Sequence, residues 1–131
     1  MPKMRAAWLT AILLATACGT GSGPPLQGTY SCADGFDPDA GADVPEFCLE
    51  ITGGTAQDLA NNQSNCSASR GTFALAPCPR AGALGGCRQT IPTVGSITDW
   101  SYEDGVTTVD DVRMMCEHDA SLGIPVTFVA P

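Results

Sequence analysis

Phe47-Cys48-Leu49-Glu50-Ile51-Thr52-Gly53-Gly54-Thr55-Ala56-Gln57-Asp58 holds a strand, its stop and the start of a helix. Phe47, Leu49 and Ile51 alternate with Cys48, Glu50 and Thr52, the period-two pattern of a strand with two unlike faces. Gly53-Gly54 ends it. Thr55 with Asp58 three residues later is a capping-box pattern with Asp in place of Glu. Ala56, Leu59, Ala60, Gln63 and Cys66 then recur at helical spacing, which predicts a helix over 56–66.

The pattern extends outward on both sides. Thr29-Tyr30-Ser31-Cys32 predicts a short strand before an Asp/Gly/Pro-rich loop over 33–45. A strand over 71–75 follows the helix. Cys78-Pro79 opens a Gly/Ala loop, and strands are expected over 87–91 and 97–103 around a turn at 92–96. Thr108 with Asp111 repeats the capping pattern, and Val109, Val112 and Cys116 form the stripe of a second helix. Val126-Thr127-Phe128-Val129 closes the chain as a strand. The order contains a weak internal repeat: a Thr cap, a helix ending in Cys66 or Cys116, then Gly71-Thr72-Phe73 or Gly123 and Thr127-Phe128. We read it as two related helix-then-strand units. The fold class expected is α+β: a small disulfide-stapled domain, two helices against a mixed or antiparallel sheet.

The N-terminus reads as a leader. Lys3 and Arg5 precede an apolar run over 6–17, too short for the about 20 apolar residues of a membrane span. The run ends Ala15-Thr16-Ala17, a small-x-small cleavage pattern. Before Cys18 the tripeptide reads as a lipobox, which makes Cys18 the lipidation site and the membrane a partner through that anchor. Ala15 stands where Leu is usual, so ordinary cleavage followed by a soluble protein is the alternative. Residues 1–17 are then a signal peptide. Residues 18–28 are the lipidated cysteine with a Gly/Ser/Pro tether, and 29–131 are the folded domain. Gly19 after the cysteine points to an outer-membrane or surface location. The alternative is a soluble periplasmic or extracellular one.

Cysteine arithmetic agrees with export. There are seven cysteines; removing Cys18 leaves Cys32, Cys48, Cys66, Cys78, Cys87 and Cys116, enough for three disulfides in an oxidising compartment. Such bridges are needed, because Leu, Ile, Val and Phe make up only 21 of the 114 residues from Cys18 onward. Strand and helix lengths predict the pairing. A helix running antiparallel to strands 47–52 and 71–75 brings Cys66 to Cys48 and away from Cys78. A hairpin between strands 71–75 and 87–91 pairs Cys78 with Cys87. Cys32–Cys116 is what remains.

Charge limits the partners. The chain carries a net −8, and loss of Lys3 and Arg5 with the leader makes it more acidic still. That balance argues against nucleic acid and against electrostatic adhesion to anionic lipid, leaving a protein or glycan as the partner class.

Chemistry-bearing constellations are sparse. Asp37, Asp39 and Asp43 sit at positions 1, 3 and 7 of a calcium-loop pattern. Gly falls at the wrong place and Cys48 occupies the bidentate position, so a solvated acidic loop is the simpler reading. His118 is the single histidine, and at a helix C-terminus the helix dipole accounts for it. No Gly-x-Ser-x-Gly elbow occurs, and the adjacent acids Asp110-Asp111 suit a helix first turn. No cofactor and no enzymatic activity are expected. Trp100 and Tyr102 share a strand face, as core or as an exposed aromatic platform.

Phe47-Cys48-Leu49-Glu50-Ile51-Thr52-Gly53, Cys66 with Arg70-Gly71-Thr72-Phe73, Cys78-Pro79, Gly86-Cys87, Cys116 and Thr127-Phe128 together resemble a group of uncharacterised short cysteine-rich bacterial lipoproteins of the myxobacterial type. The resemblance spans most of 46–130. It implies an envelope location and a disulfide scaffold and attaches no activity. The function expected is that of a lipid-anchored cell-envelope protein acting by binding or as a surface component. A soluble secreted domain that binds calcium is the alternative.

Overall fold

The computed structural model describes residues 24, 26–35, 44–92 and 95–131. Cys18, the leader, most of the tether and the candidate calcium ligands Asp37, Asp39 and Asp43 lie outside the described residues. The elements are β1 (Thr29–Asp34), β2 (Phe47–Gly53), α1 (Ala56–Ala68), β3 (Thr72–Ala74), β4 (Ala83–Ile91), β5 (Gly95–Tyr102), α2 (Val109–Ser121) and β6 (Val126–Val129). All strands join one antiparallel sheet in the order β3-β1-β2-β5-β4-β6. The α+β class is as expected, and the sheet is antiparallel rather than mixed.

Local chemistry starts both helices. Thr55 Oγ1 accepts from the Asp58 N–H at 3.2 Å while Asp58 Oδ2 accepts from the Thr55 N–H at 2.8 Å. Thr108 and Asp111 repeat both bonds with the same distances. Two otherwise unpaired donors are satisfied at each N-terminus. The tether docks before the sheet begins, because Leu26 N–H donates to Gly54 O and Gly53 N–H to Gly28 O.

The internal repeat is larger than helix-plus-strand. Each half is a ββαβ unit, β1-β2-α1-β3 and β4-β5-α2-β6, and the strand order is symmetric about the β2–β5 junction. Cys32 lies opposite Phe73 on its outer neighbour and Leu49 on its inner one, while Cys87 lies opposite Phe128 and Asp99. Equivalent residues Leu49 and Asp99 are themselves direct partners across β2–β5. A pseudo-dyad therefore passes between them.

Three bridges hold the sheet's two faces: Cys32–Cys66, Cys48–Cys78 and Cys87–Cys116. They correct the expected pairing of Cys48–Cys66, Cys78–Cys87 and Cys32–Cys116. The expected pairing takes β2 and β3 as neighbours, but β1 lies between them. Cys66 comes down over β1 and meets Cys32. Cys48, paired with Ala33 one residue along, points to the other face, as alternation requires. Nor do β3 and β4 form a hairpin; β4 pairs with β5 and β6. The exclusion of Cys66–Cys78 stands.

Two bridges obey the pseudo-dyad, each tying a helix to the middle strand of its unit. The third follows from the crossing between units. Residues 75–82 pass across the helix-free face to reach β4, and Cys48–Cys78 pins them there. Beneath them is a core of Ala33, Cys48, Cys78, Trp100 and Tyr102. Trp100 and Tyr102 are core, not a platform, at 1% and 3% exposure.

Glu50 is buried in this face and held by three hydrogen bonds from two groups. Its Oε2 accepts from the Cys78 N–H at 2.9 Å and from Arg80 Nη2 at 2.8 Å, while Oε1 accepts from Arg80 Nη2 at 3.1 Å. The Arg80 guanidinium also lies 3.8 Å from the Trp100 ring centroid, a cation–π contact. Tyr102 Oη donates to Pro79 O at 2.8 Å. Burial pushes the Tyr102 hydroxyl up to about 12, despite the opposing charge of Arg80.

Arg80→Ala leaves Glu50 buried and unpaired, so it destabilises the domain by about 2–3 kcal/mol, less than a fully buried pair because Arg80 is partly wet. Adding Glu50→Gln, which removes the stranded charge but keeps an acceptor for the Cys78 N–H, recovers part of the loss. Guanidinium unfolding midpoints check both.

Candidate functional site

Both helices pack on one face of the sheet, but they do so unequally. α2 buries Val112 and Cys116 against Leu84, with Cys87, Val126 and Phe128 around them. α1 buries only Cys66. The register set by the two bridges makes Asn62 the equivalent of Val112, each four residues before its cysteine and so on the same helix side. An apolar anchor in one unit is an amide in the other. The Ala56, Ala60 and Gln63 positions at helical spacing are exposed. The side of α1 turned to the sheet is Asp58, Asn62, Asn65 and Cys66.

A cleft of about 310 Å³ results between α1 and the sheet. Its floor is Phe47, Leu49 and Ile51 of β2. One end is Tyr30 and Phe73, whose ring centroids are 5.9 Å apart. Its roof is Asn62, Asn65 and Ser69, and the Cys32–Cys66 bridge forms part of the wall. A second hollow of about 190 Å³ continues it toward Ile97, Gly54 and Asp58, sharing Tyr30, Leu49, Ile51 and Asn62 with the first. Asn62 Nδ2 donates to Asp58 O at 2.8 Å and to Tyr30 Oη at 3.3 Å, which sets the amide's orientation. Burial raises the Tyr30 hydroxyl above its ordinary value; the bond from Asn62 opposes that shift and Asp58 adds to it.

The same place in the second unit is filled. Tyr30 corresponds to Gly85 by register, and Phe128 occupies the space a side chain would need: a Cβ on Gly85 would stand 2.5 Å from the ring. In the first unit Gly71 is the tight point, since a Cβ there would stand 2.6 Å from Cys32 Sγ and 2.9 Å from Cys66 Sγ. Its lack of a side chain lets the chain turn from α1 into β3 directly against the bridge.

Carboxylates surround the cleft. Asp34 and Asp58 line it, and Asp99 is Leu49's partner across the pseudo-dyad. Desolvation by its surroundings raises the Asp99 carboxyl above the ordinary value, and the negative charge of Asp119 on α2 raises it further. Asp58, Asp104 and Asp111 are the opposite case. The bonds from Thr55 lower Asp58, those from Thr108 lower Asp111, and those from Thr107 and Val106 bring Asp104 down to about 2. These three serve helix caps and a turn. Asp99 makes no hydrogen bond or ion pair among the described residues.

The other singled-out groups are not drawn together. His118 is in the last turn of α2, exposed. Among the described residues no cluster of three metal-ligating side chains forms, and no helix is long and apolar enough to cross a membrane. The cleft itself was not singled out by sequence reasoning. Its signal was there in the contrast between Val112-x-x-x-Cys116 and Asn62-x-x-x-Cys66.

Comparison of the chain with protein-family models, with curated proteins and with solved structures finds no match. The three disulfides bespeak an oxidising compartment and hence export.

Asp99→Asn raises the melting temperature only slightly at pH 7, because Asp99 is exposed and solvent screens its charge. The folded-state value of Asp99 lies above its unfolded one, so its ionised form opposes folding at neutral pH. The gain therefore vanishes as the pH falls below about 4, where the carboxyl is protonated in both states. Calorimetric scans of both proteins from pH 7 to 3 check the sign.

Proposed function

We propose that the protein is a lipid-anchored domain of the cell envelope that acts by binding, taking the apolar part of an amphipathic ligand into the cleft beneath α1. The observation that carries this reading is the cleft's construction. An aromatic and aliphatic floor is roofed by amides and a hydroxyl, which orient a ligand without transferring protons. The second unit shows the alternative within the same chain, because there Val112 and Phe128 close the equivalent space.

Anchoring through Cys18 fits the charge. An acidic domain is repelled by anionic bilayer surfaces, so residence at a membrane needs a covalent lipid. The two acyl chains of a diacylglyceryl cysteine satisfy the two-signal requirement for stable anchoring. The docked residues Leu26 and Gly28 leave only a short run between the anchor and the sheet, so the domain is held close to the membrane. An outer-membrane or surface location follows from Gly19.

Two measurements test the reading. Labelled palmitate is incorporated into the wild-type chain and lost with Cys18→Ala; a chain that never takes label refutes the anchor. Decyl maltoside below its micellar concentration binds the mature Cys18→Ala protein in calorimetric titration. Asn62→Phe, which plugs the cleft, lowers that affinity by about tenfold or more, the effect of about 1.4 kcal/mol of lost burial. Unchanged binding in Asn62→Phe with native circular dichroism places the ligand elsewhere.

A further inference from the structure

We infer that the ligand of the cleft is a cationic amphiphile, a single-chain molecule whose apolar tail lies over β2 and whose positive head group sits by Asp99 and Asp119. The inference rests on the cleft reading above and adds the head group's charge.

Charge complementarity and the pseudo-dyad carry it. Beside Leu49 the apolar floor stops at the dyad, where Asp99 faces it, while Ile97 continues the floor beside Ile51. A tail lying along Leu49 and Ile51 therefore meets a carboxylate on the next strand. Asp119 on α2 is near enough for its charge to act on Asp99. By the register that equates Cys66 with Cys116 it is the counterpart of Ser69, a roof residue of the cleft. Met115, one turn earlier on the same side of α2, is 48% exposed. Asp34 and Asp58 mark the two ends.

No arginine lines either hollow. Three of the described arginines are engaged elsewhere. Arg80 is on Glu50 across the sheet, Arg88 bonds Thr98 on that same far face, and Arg113 lies 5.0 Å from the Phe128 ring toward the sheet edge while pairing with Asp110. An anionic head would meet only repulsion at the dyad. A neutral head would leave the neighbouring charges of Asp99 and Asp119 uncompensated, a state a cation relieves.

Three probes with one tail test the idea: decyltrimethylammonium, decyl maltoside and decyl sulfate. Each is titrated below its micellar concentration into the mature Cys18→Ala chain. The ammonium compound binds about tenfold tighter than the maltoside, the scale of one screened charge contact. That advantage shrinks in 0.5 M salt and in Asp119→Asn, a near-isosteric change at a half-buried helix position whose native circular dichroism is checked first. Asp99→Asn abolishes most of it while maltoside affinity stays within about twofold. Equal affinity for ammonium and maltoside overturns the charge inference and leaves the cleft reading standing. Preference for the sulfate overturns it as well. Failure of all three to bind overturns both readings.

Discussion

Each helix of this domain is held to its sheet by a sulfur bridge before it is held by packing. Cys32–Cys66 and Cys87–Cys116 join a middle strand to the helix above it, closing loops with sequence separations of 34 and 29 residues. In chain-entropy terms a loop of that size contributes about 3–4 kcal/mol. A domain with so few large aliphatic residues cannot obtain that from burial alone. The consequence is a freedom seldom open to a helix in a larger core. α1 buries one residue, its cysteine, and the rest of its inward side is released from packing.

The duplicated architecture shows what was done with that freedom. In the second unit Val112 and Phe128 complete a small apolar core under α2, and Gly85 yields its space to the Phe128 ring. In the first unit Asn62 replaces the valine and Tyr30 replaces the glycine, so Phe73 tilts against Tyr30 and the middle of the face stays open. The bridge is common to both units and the filling is not. A cleft in a bridged unit costs less than a cleft in a core that has to carry the fold, because its lining has little cooperative packing to lose. The asymmetry at the dyad has the same character: Leu49 and Asp99 occupy equivalent positions, and only one of them serves apolar burial.

Local features of this fold were legible and non-local ones were not, and the reason is range. The capping boxes at Thr55 and Thr108 depend on a residue three places away. β6 depends on the four residues that form it, and its observed bounds are the expected ones. Disulfide pairing depends on strand order. β1 inserts between β2 and β3, and that single fact moved Cys66 from Cys48 to Cys32. The six cysteines could be assigned to bridges by parity, but their partners follow from which face each side chain takes, and alternation turns a one-residue shift into the wrong face. The site was obscured for a related cause. Helical spacing in α1 points to its small apolar residues, whereas the inward side is marked by Cys66 and the polar residues one turn before it. In a disulfide-dependent helix the cysteine, not hydrophobicity, identifies the buried side.

The far face explains how the near one can remain open. Residues 75–82 cross it and are fastened by Cys48–Cys78, by Glu50 accepting from the Cys78 N–H and Arg80, and by Tyr102 donating to Pro79. Those contacts join β2 and β5, the two central strands, through a segment that belongs to neither. The β2–β5 junction is also where the two units meet, and the floor of the cleft is made by the opposite side of the same strands. A sheet stiffened from behind keeps Phe47, Leu49 and Ile51 in a fixed plane without needing a helix pressed onto them. Glu50 and Leu49 are adjacent in sequence and on opposite faces, so one strand carries both the lock and the floor. Thr98 and Asp99 repeat that division on β5, with Thr98 buried on the locked side and Asp99 on the open one. The alternation that defeats disulfide assignment from sequence is thus the device that separates stability from binding in this domain: every second residue of the central strands is committed to one, leaving its neighbour for the other.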